Sequence, residues 1–163
     1  MTSTSNLTHL PALDAHNRDA IGSELQATLV DLIDLALVGK QLHWSVVGHH
    51  FRSVHLEIDV LVDAWREMSD VVAERAVALG EFPDGQADVV AAGEELRKIA
   101  RGPVEDDNVL RELARRIAEA AERARGRMDR LGALDAATQD VLTDVVRDLE
   151  KQLWMVRSQL KPG

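Results

Sequence analysis

Cysteine is absent from all 163 residues, which removes disulfide frameworks, thiolate metal sites and cysteine nucleophiles and is compatible with a reducing cytoplasm. Tyrosine is absent as well, and aromatic residues make up only 3% of the chain. What remains is rich in Ala, Leu, Val, Glu and Arg, with 45% apolar and 29% charged residues, a balance that suits helices and points to an all-α protein. No stretch approaches the roughly 18 consecutive apolar residues of a membrane span. Residues Met1 to Ser5 show no basic region followed by an apolar run, so a soluble, unexported, cytoplasmic protein is expected. A net charge of -9 opposes binding to phosphate backbones and favours cations, but acidic surfaces are common and charge alone decides nothing. Any chemistry falls to His, carboxylates or hydroxyls.

The length is near the commonest size of a single domain. A short polar arm, residues 1–11, precedes a bundle expected over residues 12–161. Leu25, Leu29, Leu32, Ile33 and Ala36 set a helical period over about residues 13–47, interrupted at Gly48-His49-His50. A second helical pattern, about residues 52–79, stops at Gly80. A shorter helical segment follows over about 87–100, between the breaker-rich Glu81 to Gly85 and Arg101-Gly102-Pro103. Two further helices, about 107–131 and 136–160, flank Gly132 to Asp135. Two helical hairpins joined by a long connection containing a short extra helix describe a ferritin-like four-helix bundle with one crossover.

The informative residues are His43, His55, Asp59, Asp70 and Glu74. With His55 at zero on a helical wheel, Asp59 falls near about 40°, Asp70 near 60° and Glu74 near 100°, one stripe along the second helix. Ile58, Leu61, Val62, Trp65, Met68, Val72 and Leu79 cluster around roughly 270°, the side expected to pack inside the bundle. The His and carboxylate stripe therefore faces out of its own bundle. The His55/Asp59 and Asp70/Glu74 pairs are centred about 22 Å apart along the helix axis, too far for one chain to close around one metal. A two-fold axis between antiparallel copies of this helix brings His55 and Asp59 of one chain against Asp70 and Glu74 of the other, and makes two such sites at once. His43 reaches the start of the second helix across the tight turn. Two imidazoles and three carboxylates suit iron, and also zinc or manganese as competitors. Each residue alone has a bland reading as a solvated surface group or a cap. Asp63 and Arg66 share the stripe, as second-layer partners of the site or as a surface salt bridge.

Lys40-Gln41-Leu42-His43-Trp44, then Gly48-His49-His50-Phe51 and Val54-His55-Leu56-Glu57-Ile58-Asp59, resemble the signature of the Dps family of mini-ferritins. The resemblance continues through Asp70-Val71-Val72-Ala73-Glu74-Arg75, Ala78-Leu79-Gly80, and Arg147 to Trp154, so it spans most of the chain. No Glu-x-x-His pair of the kind used inside a single ferritin-like bundle occurs in the His43-to-Glu74 block, which favours the interface reading. The resemblance implies a hollow homo-oligomeric shell of twelve subunits with a ferroxidase centre at each two-fold interface. It places His43, His55 and Asp59 on one subunit and Asp70 and Glu74 on its partner. It also implies oxidation of Fe(II), typically by hydrogen peroxide, storage of ferric oxide inside, and protection against oxidative damage. Trp44 then either takes up stray oxidising equivalents or packs at the corner. Lys40 either tunes the site electrostatically or pairs with surface carboxylates.

Asp135, Asp140, Asp144 and Asp148 form an acidic series at the start of the last helix, and the last three share a face. The first three are candidates for an iron-entry pore around a three-fold axis, against the simpler reading of a solvated face. Many relatives condense DNA through lysine-rich arms. Here residues 1–11 hold no Lys or Arg, and only Lys161 follows the last helix, so DNA binding from the arms is expected to be weak or absent, with nucleoid association only if another surface binds. The alternative function is a structural or DNA-protecting shell whose metal site is inactive or filled by zinc.

Overall fold

The computed structural model describes residues 13–93 and 98–160. Helix α1 (Ala15–Ser45) leads through strand β1 (Val46–Val47) into α2 (Phe51–Ala78). A long connection holds α3 (Ala87–Ala91) and strand β2 (Val104–Glu105), followed by α4 (Asp106–Leu131) and α5 (Ala136–Arg157). The four long helices form the ferritin-like bundle, α1/α2 and α4/α5 being its two hairpins. The arm of residues 1–11, and Lys161, lie outside the described residues.

Two elements differ from the sequence reading. Among the described residues of the short helix expected over 87–100, only Ala87–Ala91 are helical; Gly93 follows, and a glycine inside a helix costs about 1 kcal/mol. The first helix stops at Ser45, short of the expected residue 47. There the β-branched Val46 and Val47 extend and pair in parallel with Val104 and Glu105. This small bridge ties the α1/α2 corner to the start of α4.

Helix ends carry their own stops. The Asp14 side chain accepts from the Asn17 amide at 2.8 Å, capping α1. Gly80, at φ 86, provides the left-handed turn after α2. All seven apolar residues assigned to the inner side of α2 are buried, and Trp65 is fully so, its indole N–H donating to Gln152 Oε1 at 2.8 Å. Against it α1 comes so close that a Cβ on Gly39 would lie 2.6 Å from Val62.

The hairpins are joined by burial and by ion pairs on one flank. Glu24, Asp31 and Asp34 of α1 face Arg116, Arg123, Arg127 and Arg130 of α4, with Asp31 accepting from Arg127 at 2.6 Å and Arg123 at 3.0 Å. Burial raises the Asp34 carboxyl above its ordinary range, against the opposing charge of Arg116. On the other side Arg75 of α2 reaches the N-terminus of α5, donating to Asp135 Oδ2 at 2.7 Å and to Thr138 Oγ1 at 3.0 Å.

Asp135 also caps α5 through the Thr138 amide at 3.0 Å. Burial pushes its carboxyl up, but hydrogen bonds from Thr138 and Arg75 outweigh this and hold it below the ordinary value of 3.8. A lowered folded value means stabilisation that is present above 3.8 and lost as pH falls through the folded value. Asp135→Ala is expected to cost about 1–2 kcal/mol near neutral pH in urea unfolding. Asp135→Asn, which cannot titrate, should decline less steeply than the parent below pH 4, and parallel acid limbs for the two would rule this anchor out.

Candidate metal centre

The last turn of α1 and the first turns of α2 meet at a corner held by two imidazoles. His43 is buried and His55 half-buried, and their rings stack with centroids 3.6 Å apart and planes 22° apart. Each ring reaches the other's backbone. His43 Nδ1 lies 2.9 Å from the His55 carbonyl oxygen, and His55 Nδ1 lies 3.0 Å from that of His43. A carbonyl only accepts, so Nδ1 carries a proton in both rings, which in the neutral tautomer leaves Nε2 as a lone pair. That is the state a metal-binding histidine needs, with its second nitrogen anchored. Phe51 covers the outer ring, its centroid 5.0 Å from that of His55.

Asp59, one turn beyond His55, accepts from Lys40 Nζ at 2.7 Å and stands 3.3 Å from His43 Nδ1. The Lys40 hydrogen bond chiefly, with the nearby imidazoles, holds the Asp59 carboxyl below its ordinary range despite partial desolvation. Lys40 thus touches the candidate ligand directly. Its ammonium lies 5.9 Å from the Trp44 ring centroid, and Trp44 is 70% exposed, so this indole does not pack into the corner of its own chain. Asp63 pairs with Arg66 at 3.7 Å, both well exposed, a surface salt bridge within this chain.

Asp70 and Glu74 sit at the other end of α2, exposed and making no hydrogen bond or ion pair among the described residues. Among the described residues, no three His or carboxylate side chains are arranged around one metal position. The chain presents two separated groups of donors at the two ends of α2, the first completed by His43 of α1.

Of the acidic series on α5, Asp140, Asp144 and Asp148 line a cleft of about 300 Å³ with Glu67 of α2 over an apolar floor. Asp135 stands apart from them. Within this chain its carboxylate accepts from Arg75 and from the Thr138 amide, capping α5.

One residue escaped the sequence reading. Asp106, the first residue of α4, is buried and accepts from the His50 amide at 2.6 Å and from the Asp107 amide at 2.8 Å. The His50 hydrogen bond, outweighing desolvation, holds its carboxyl below the ordinary range. No motif signals this contact, because the partners are 56 positions apart.

Comparison with known proteins places this geometry. A family model described as a ferritin-like domain matches residues 23–162. The "DNA protection during starvation protein" of Agrobacterium fabrum is 31% identical over 91% of this chain and 93% of its own length. The "fine tangled pili major subunit" of Haemophilus ducreyi is also 31% identical, over 94% of this chain and 82% of its own. Among solved structures, DpsA14 from Streptomyces coelicolor superposes with a TM-score of 0.89 at 34% identity, covering 94% of this chain and 92% of that one.

The reciprocal ring-to-carbonyl contacts should make the two histidines energetically coupled. In metal-free protein, His43→Ala and His55→Ala combined should deviate from additivity by about 0.5–1.5 kcal/mol in urea unfolding at fixed protein concentration. Additive losses would mean that the rings do not support one another.

Proposed function

The chain belongs to the ferritin-like family and, within it, to the Dps proteins, and on that premise we propose that it is a ferroxidase that stores iron at sites shared between subunits. The family supports iron storage or DNA protection in general. The finer reading is oxidation of Fe(II), with hydrogen peroxide as the oxidant, inside a shell of twelve copies in the cytoplasm. What carries it is the placement of donors along α2: His55 and Asp59 at one end, joined there by His43 from the last turn of α1, and the unengaged Asp70 and Glu74 on the same outward stripe at the other.

In a two-fold pair with antiparallel α2 helices, the first group of one subunit faces the second group of its partner. Ferrous ions are the substrate. The Nε2 lone pairs of His43 and His55 suit the softer ferrous state, and the carboxylates of Asp59, Asp70 and Glu74 suit the harder ferric product. An arriving cation displaces Lys40 from Asp59, replacing one positive charge by a larger one. Two ferrous ions each give up one electron to one peroxide. Its O–O bond breaks, and its oxygens, with oxygen from water, end in ferric oxyhydroxide while protons are released. Zinc and manganese compete for the same donors. Asp135, Asp140 and Asp144, the last two in the acidic cleft on the α2/α5 side, attract cations towards the shell's entry path.

Among the described residues no helix is long and apolar enough to cross a membrane. Residues 1–11 hold no Lys or Arg and residues 161–163 only Lys161, and nanomolar protein at physiological salt is expected to leave a DNA fragment unshifted in a gel. A saturating shift there would show DNA binding through another surface.

The function is tested by stopped-flow Fe(II) oxidation, followed in the near ultraviolet with peroxide and then with oxygen. His43→Ala and Asp70→Ala should each be slow alone. Mixed as dissociated and reassembled subunits, they should regain about a quarter of the parent's sites, since half the dimers are mixed and each mixed dimer holds one intact site. Slow variants with no recovery would place all ligands in one chain. A parent no faster than buffer would favour the shell with zinc-filled or inactive sites.

A further inference from the structure

We propose that Asp106 is a positioning residue for the imidazole half of the site, acting through Gly48 and His50 of the α1/α2 corner. The inference rests on the ferrous-iron reading above.

The corner between His43 and His55 lacks a side-chain cap of its own at the N-terminus of α2. The first turn of α2 has no acidic residue, and His50, at the cap position, makes no side-chain capping bond. The missing acceptor comes from another hairpin. Asp106 Oδ2 accepts from the His50 amide at 2.6 Å while Oδ1 accepts from the Asp107 amide at 2.8 Å, so one buried carboxylate serves the N-termini of α2 and α4 together.

The fit is tight on the other side as well. Gly48 has φ 125, and a Cβ built there would stand 2.6 Å from Asp106 Oδ2. The position therefore excludes a side chain for two independent reasons, backbone conformation and the carboxylate seated against it. The paired strands, Val46 with Val104 and Val47 with Glu105, hold the two segments at this spacing.

The contact leads directly to the histidines. The His50 carbonyl accepts from the Val54 amide at 3.0 Å, which starts the α2 hydrogen-bond ladder one residue before His55. The His55 ring and backbone then exchange bonds with His43. A shift of the His50 peptide is passed to both imidazoles. By contrast, α4 is anchored in the bundle by Val109, Leu110 and Leu113, all fully buried or nearly so, without help from the carboxylate.

The test uses the assembled protein and Co(II), a redox-inert probe whose visible absorption reports ligand geometry. Asp106→Asn keeps the side chain's size but turns one oxygen into a donor facing the His50 amide. It is expected to bind Co(II) about ten-fold more weakly, with an altered band and slower Fe(II) oxidation. Elution volume and helical circular dichroism should stay as in the parent, and the rise in amide exchange should be confined to residues 46–56. Asp107→Asn, the same charge change one residue away on an exposed side chain, should match the parent. Unchanged Co(II) affinity and spectrum in Asp106→Asn would overturn the proposal and leave the ferroxidase reading intact. Equal losses in both variants would reduce it to bulk charge and overturn it. Failure to fold or assemble, or increased exchange in every helix, would make Asp106 a fold residue and overturn it too. A parent that binds no Co(II) would instead remove the ferrous-iron reading beneath it.

Discussion

The exchange of hydrogen bonds between two imidazole rings and each other's backbone is the constraint on which the candidate centre depends. It works only if the chain turns between α1 and α2 so sharply that residues 43 and 55 come face to face, with ring centroids 3.6 Å apart. That demand explains the corner's composition. Val46 and Val47 leave the helix as a strand, Gly48 takes a φ that side chains avoid, and Phe51 begins the next helix over the rings. Fixing both Nδ1 protons on carbonyls also decides the tautomer, so the same contacts that close the corner prepare the nitrogens opposite for a cation.

Helix α2 then divides its surface between two tasks. One side, from Val54 through Trp65 to Leu79, is buried in the bundle, and the other presents Asp59, Asp63, Asp70 and Glu74 to the outside. Carboxylates so close along one helix face repel each other, so a cation near them relieves repulsion as well as gaining a ligand. The acidic residues that have structural work are elsewhere. Glu24, Asp31 and Asp34 face the arginines of α4 across the two hairpins, and Asp135 holds Arg75. The chain thus separates carboxylates that hold guanidinium partners across the fold from Asp70 and Glu74, which have no such partner among the described residues.

This division shows what the sequence made legible. The core side of α2, the outward stripe and the meeting of His43 with His55 all follow from helical periodicity and one short turn, which are local rules. Among the described residues α3 ends at Ala91, just before Gly93, where the backbone cost of glycine outweighs the apolar pattern. Asp135 was grouped with Asp140 and Asp144 by sign and proximity in sequence. Within this chain it also sits at the N-cap of α5 and is held by Arg75, 60 positions away, a contact that sequence spacing does not announce. Asp106 and the α1/α4 ion pairs were unread for the same reason: nothing in local spacing tells which of many charges will meet across a bundle.

On the shared-site reading, the distance along α2 carries a further consequence. A rigid helix keeps the imidazole group and the Asp70/Glu74 pair about 22 Å apart, whatever the side chains do. No rotamer change or loop motion within one chain can complete the centre, so only association can. Lys40 fits this arrangement. While the second group of carboxylates is absent, its ammonium neutralises Asp59 from a partly exposed position, where an ion pair is weakly held and easily exchanged. Once a partner contributes Asp70 and Glu74, the local negative charge exceeds what one lysine balances, and a divalent cation becomes the better counter-ion. Assembly and metal affinity are then linked through charge as well as geometry, and chemistry that generates oxidised iron is confined to a closed interface.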